Sequence, residues 1–101
     1  MIARIWRGAV RPEDTDDYVA YIEATGIETY RSTRGNVGAW ILHRPVDDLT
    51  EIITFSLWDS LEAVRGFAGE DESRAVFYPE DDRFLVERSL TVDHYEVGSR
   101  L

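Results

Sequence analysis

Apolar and polar residues alternate from the first positions of the chain. Ile2 to Gly8 reads as a short strand with Ile2, Arg4 and Trp6 on one face and Ala3, Ile5 and Arg7 on the other, so both faces carry apolar groups. Pro12-Glu13-Asp14-Thr15-Asp16-Asp17 then sets a proline suited to a first helical turn beside carboxylates that match the positive end of a helix dipole. Tyr18, Tyr21, Ile22 and Thr25 follow at helical spacing, and Gly26 offers a left-handed cap, so the pattern predicts a helix ending near residue 25. Ile27 to Gly35 reads as irregular.

Val37 to Arg44 reads as a strand stopped by Pro45, and Glu51 to Trp58 as a second one, joined through Asp47-Asp48 in an antiparallel hairpin. Ser60 or Asp59 caps a helix bearing Leu61, Val64, Phe67 and Ala68. Gly69 interrupts it, and Asp71-Glu72-Ser73 starts a second short helix through Phe77, closed by Tyr78-Pro79. A turn at Asp81 to Leu85 plugs Phe84 and Leu85 onto the core, and Leu90 to Val97 forms the last strand.

The resulting order of strand, helix, strand, strand, helix, strand is an α+β, ferredoxin-like split βαβ arrangement with an antiparallel sheet, in one domain over residues 1–101. Helices cover one sheet face only. The other face, carrying Ile5, Ile41 and Phe55 or their neighbours, needs a partner, and a symmetric homodimer packed sheet against sheet supplies one.

Composition narrows the chemistry. With 20 acidic and 11 basic residues the net charge is -9, so release of counterions from a phosphate backbone cannot drive binding and no nucleic acid is expected. There is no cysteine, which removes disulfides, thiolate nucleophiles and iron–sulfur clusters. All basic side chains are arginine, which removes Schiff-base chemistry. No apolar run reaches membrane-helix length, and the early charges at Arg4 and Arg7 do not suit a signal peptide, so a cytoplasmic protein without a membrane partner is expected.

The carboxylate clusters Glu13-Asp14-Asp16-Asp17, Glu70-Asp71-Glu72 and Glu80-Asp81-Asp82 lack the spacing of a calcium loop and read as helix starts and solvated turns, so no metal is expected. Gly35, Gly38, Gly66 and Gly69 stand outside any strand–loop–helix phosphate motif, so no nucleotide cofactor is expected either.

Met1 to Gly8, Phe55-Ser-Leu-Trp-Asp-Ser60, Phe67-Ala-Gly-Glu-Asp71, Ala75 to Asp82 and Val92-Asp-His-Tyr-Glu-Val97 resemble the antibiotic biosynthesis monooxygenase family in order along the whole chain. The resemblance implies a dimeric α+β barrel with a cavity between sheet and helices. It implies, for one branch, oxidation of anthrone- or quinol-type compounds by O2 without cofactor, and for another, haem degradation. The haem branch uses an Asn on the first strand, a Trp on the second helix and a His after it. Here those positions fall near Trp6 or Arg7, near Phe67, and near Phe77 or Tyr78, and none of the three residue types is retained.

Oxygenation without a cofactor requires a base that ionises the substrate and aromatic walls that hold it flat away from water. His94 and His43 are the side chains that ordinarily titrate near neutral pH and are the candidate bases, with Tyr78 as a hydrogen-bond donor. Trp6, Trp40 and Trp58, on three different strands, together with Phe67, are the candidate walls for a small aromatic molecule. Two alternatives stand beside this reading: a non-catalytic ligand-binding barrel, and a haem-binding or haem-degrading protein held by His43 or His94.

Overall fold

The computed structural model describes residues 1–99. A five-stranded antiparallel sheet has β1 (Ile2–Val10) at its centre, paired with β3 (Leu49–Trp58) on one side and with β4 (Leu85–Arg88) and β5 (Asp93–Glu96) on the other; β2 (Asn36–Val46) is the outer strand beyond β3. Helices cover one face, as the α+β ferredoxin-like expectation requires. No helix among the described residues is long and apolar enough to cross a membrane.

The β1–β3 register, with Trp6 opposite Thr54 and Gly8 opposite Ile52, fixes which parity faces the helices. Arg4, Trp6, Val10, Ile52, Thr54, Ser56 and Trp58 are all buried on that side, against Tyr18, Ile22, Ile27, Tyr30 and Val64 of the helices and Phe84. Ile5 and Phe55 lie on the opposite face as expected. Ile41 does not: it sits opposite Thr54, on the helix side, and its neighbour Trp40 takes the outer position across from Phe55.

The first helix departs from the sequence expectation. A 3-10 turn (Pro12–Asp14) leads into α1 (Thr15–Ile22), but the chain does not stop at Gly26. It passes through a π-helical turn (Glu23–Ile27) into α2 (Glu28–Ser32). The buried residues Tyr18, Ile22, Ile27 and Tyr30 explain why. The five-residue step from Ile22 to Ile27 is off-face for a pure α-helix, and one i to i+5 turn restores it. Gly26 is therefore a buried residue inside the helix, and the ring of Tyr78 lies 3.7 Å from where a side chain there would begin.

Three further expectations change. Pro45 lies within β2, which is allowed because β2 is an edge strand and proline forgoes only an outward donor. After α3 (Leu61–Ala68), capped by the Ser60 hydroxyl accepting from the Ala63 amide at 3.1 Å, no second helix forms at 71–77. Asp71 there accepts from the Ser73 amide and hydroxyl, a local turn that competes with helix initiation. The last strand shrinks from Leu90–Val97 to β5, and β4, directly after α4 (Asp81–Phe84), takes up the rest of the β1 edge. The one-turn plug through Phe84 is present, with Phe84 buried and Leu85 packed beside it.

Candidate functional site

One arginine is buried at the centre of the sheet. Arg4 is 2% exposed and lies on β1 between Ser56 of β3 and His94 of β5, on the helix side. Its Nη1 donates to the Tyr30 hydroxyl at 3.2 Å and its Nη2 to the Arg74 carbonyl at 3.5 Å, while Nε is buried with no partner. The guanidinium also lies over the rings of Phe67, 5.4 Å from the centroid, and Tyr30, at 6.0 Å. No carboxylate among the described residues pairs with it.

Burial lowers the Arg4 pKa, but a guanidinium starts so far above neutrality that the group keeps its charge at pH 7. Burial also raises the Tyr30 phenol, against the opposing pull of Arg4, so Tyr30 stays neutral and supplies no counter-charge. An unpaired ion removed from water costs several kcal/mol even after relaxation. This cost is concentrated at one point, the wall of a cavity of about 40 Å³ lined by Arg4, Trp6, Tyr30, Phe67, Tyr78 and Asp81 among others.

Each wall is held from behind. The Trp6 indole folds back over Gly8, where a Cβ would stand 2.5 Å from the ring, and its Nε1 donates to the Ser89 carbonyl at 2.8 Å. Phe77 meets Trp6 edge-on at 6.2 Å. Asp81, read from the sequence as part of a solvated acidic turn, is buried instead. Its Oδ2 accepts from the Tyr78 amide at 2.6 Å and its Oδ1 from the Tyr18 hydroxyl at 3.0 Å. Burial, reinforced by the Asp81 charge, pushes the Tyr18 phenol up, so that hydroxyl remains a donor. Asp81 thus anchors the start of the wall that carries Tyr78.

His94 is half-buried directly across from Arg4, with its Nε2 buried and unpartnered. Burial lowers its pKa first and the Arg4 charge lowers it further, against the opposing pull of Glu72 and Asp93, so the imidazole is neutral at pH 7. The folded state therefore binds fewer protons at His94 than the unfolded chain. Its contribution to stability is complete above the ordinary value of 6.5 and is lost as pH falls toward the lowered native value. Urea titrations from pH 7.5 down to about 5 are expected to show a decline in stability that is shallower in His94→Gln; equal slopes would exclude His94 as its source.

The structure brings together only part of what the sequence nominated. Trp6, Phe67 and Tyr78 line one cavity, and His94 stands beside its arginine. The three tryptophans do not converge. Trp58 is fully buried behind the cavity, its Nε1 donating to the Ser56 hydroxyl at 2.9 Å and its ring packed on Tyr30 and Phe67. Trp40 is on the opposite sheet face, 5.6 Å from Phe55, because its parity on β2 points it away from the helices. His43 is exposed on the edge strand. Arg4, Tyr30 and Asp81 were not nominated, although each contributes a polar group to the cavity or its frame.

The cavity as it stands, about 40 Å³ with a fixed cation in its wall, is below the roughly 300–1,000 Å³ typical of small-molecule pockets, so neither haem nor a phenolic substrate enters it without movement of its walls. A wider groove of about 620 Å³ runs past Arg7, Asp48, Glu51, Glu87 and Arg88 toward the hairpin end, but it holds no histidine.

No family model matches the sequence, and no curated protein matches it significantly. Solved structures do match in shape. Rv0793 from Mycobacterium tuberculosis superimposes with a TM-score of 0.67 at 17% identity over 98% of this chain and 96% of that one. An antibiotic biosynthesis monooxygenase-like protein from Bacillus cereus gives 0.66 at 18% identity over 99% and 95%. The heme-degrader MhuD from M. tuberculosis, with two hemes bound in its active site, gives 0.60 at 17% identity over 100% and 99%. Buried centre, strand order and these superpositions lead to one statement: the chain has the α+β ferredoxin-like fold of the antibiotic biosynthesis monooxygenase-like structures.

Proposed function

We propose that the protein is a cofactor-independent oxygenase that acts with O2 on a planar phenolic or quinol-type small molecule. The observation that carries this reading is His94: a neutral imidazole with an unpartnered buried nitrogen, across the sheet from Arg4, which lines an aromatic-walled cavity. In that position His94 takes the phenolic proton, the Trp6 and Phe67 rings hold the anion flat, and Tyr78 donates a hydrogen bond. Neighbours described as a monooxygenase-like protein and a heme-degrader support an oxygenase.

The cavity as it stands is smaller than such a substrate, so the segment between Gly69 and Glu80 must withdraw to admit one. That segment contains no helix and is tied to its neighbours by few backbone bonds, among them Ala75 to Leu90 at 3.0 Å and Val92 to Ser73 at 2.9 Å. Oxygen uptake with anthrones and hydroquinones, with no metal, flavin or haem added, tests the reading; uptake no greater than in buffer ends it. The same small volume favours one second reading, a binding module without turnover. It is supported if thermal-shift hits are recovered chemically unchanged.

The working unit in this reading is a homodimer. The uncovered sheet face presents Trp40, Leu42 and Tyr95, each about half exposed, around Ile5, Phe55 and Leu57. Glu51 on the same face is buried between Arg7, at 3.0 Å, and Arg44, at 2.8 Å, so its charge is paired beside the apolar patch. Replacing a central aromatic anchor typically costs at least about 2 kcal/mol of association, roughly 30-fold in Kd. Sedimentation velocity is expected to show a dimer for the native chain and a shift toward monomer for Trp40→Asp, and a native monomer would refute the assembly.

A further inference from the structure

We propose that the cavity beside Arg4 binds a small monovalent anion of one to three atoms. Four observations converge on it. Arg4 is a buried cation without a carboxylate partner among the described residues. Its Nε points a polar hydrogen into the interior with no acceptor. The two acceptors it does have, the Tyr30 hydroxyl and the Arg74 carbonyl, are neutral and sit at 3.2 and 3.5 Å, so neither balances the charge. The adjoining space, about 40 Å³, is far below the roughly 300–1,000 Å³ of ordinary small-molecule pockets, which suits a halide, azide or a diatomic oxygen species.

The identity of the physiological anion rests on the oxygenase reading. A phenolate left after His94 has taken the proton can pass one electron to O2. The organic partner becomes a phenoxyl radical and dioxygen becomes superoxide, and a C–O bond between the two then pairs the odd electrons. The charge created on oxygen is new at that step, and a preformed, buried cation stabilises it without reorganisation. Arg4 is the permanent cation on the wall of this cavity, since Tyr30 is neutral and His94 carries only the proton it has just taken from the phenol. The inference therefore separates two tasks: His94 handles the proton and Arg4 the charge on oxygen.

Azide is the probe, followed by its infrared asymmetric stretch on the intact protein at pH 7 and constant ionic strength. A shifted, saturable band equivalent to one azide per chain is expected, displaced by bromide and not by sulfate. Arg4→Met should weaken azide at least tenfold, with Arg4→Lys between the two. No shifted band in the native protein, or equal binding by Arg4→Met, overturns the site. Should Arg4→Met not fold, anomalous scattering from bromide-soaked native crystals decides: density against the guanidinium supports the site, and its absence overturns it. Azide binding without oxygen uptake removes the oxygenase reading and superoxide with it but keeps the anion site. Oxygen uptake without azide binding does the reverse. Azide inhibition competitive with O2 supports both.

Discussion

Truncating Trp58 to alanine is expected to cost about 3–5 kcal/mol of unfolding free energy, the range for large aromatic-to-alanine changes in a core that cannot collapse. The side chain is fully buried, packs against Tyr30 at 5.8 Å and Phe67 at 6.1 Å, and donates to Ser56, which would lose its partner. A domain of this size commonly has only about 5–15 kcal/mol in total, so the variant sits near the edge of folding at 25 °C. Urea denaturation followed by circular dichroism measures it. A loss under about 1.5 kcal/mol would mean that the indole is not packed as described. The result also separates Trp58, which supports the cavity from behind, from Trp6, which forms its wall.

Replacing His94 by glutamine is expected to lower the oxygen-consuming rate by about 10²–10⁴, the usual contribution of a positioned general base. Glutamine keeps a polar group beside Arg4 but cannot accept and hold a proton. In the native protein kcat/KM should rise with pH through a midpoint below 6.5, because the imidazole is active when neutral and its pKa is lowered by burial and by Arg4. The variant should lose this limb while KM for the organic substrate stays within a few-fold. A variant that retains both rate and limb would place the base elsewhere.

The sequence discloses the frame of the site better than its polar centre. The β-branched and aromatic content of Glu51 to Trp58, the acidic turn at Asp47-Asp48 and the Ser60 cap are local signals, and the β2–β3 hairpin and α3 form where those signals stand. Arg4 is different. On β1 each parity offers apolar residues and one arginine, Ile2-Arg4-Trp6 against Ala3-Ile5-Arg7, so the pattern has no preference for which cation enters the core. Pairing with β3 and the covering helices decide it, and those are long-range contacts. Asp81 escapes notice for a related reason: its run of acidic neighbours looks solvated, and only the distant Tyr18 hydroxyl and the Tyr78 amide give one member a reason to be buried. Signals for Tyr30 existed in the apolar series Tyr18, Ile22, Ile27, Tyr30, but its uneven step reads as the end of a helix.

That uneven step has an evolutionary and engineering consequence. Each residue of an α-helix turns the chain by about 100°, so a plain α-helix of the same length would carry the residues after Glu23–Ile27 out of phase, whereas removing one residue there would turn the five-residue step into an in-phase step of four. Without the π-turn, at unchanged length, Tyr30 would rotate off Arg4 and Ile27 would leave the core, even though every side chain was unchanged in kind. The π-turn thus offsets one extra residue, and related chains that share the arginine–tyrosine contact should tolerate one single-residue deletion there, the stretch then closing as a plain α-helix.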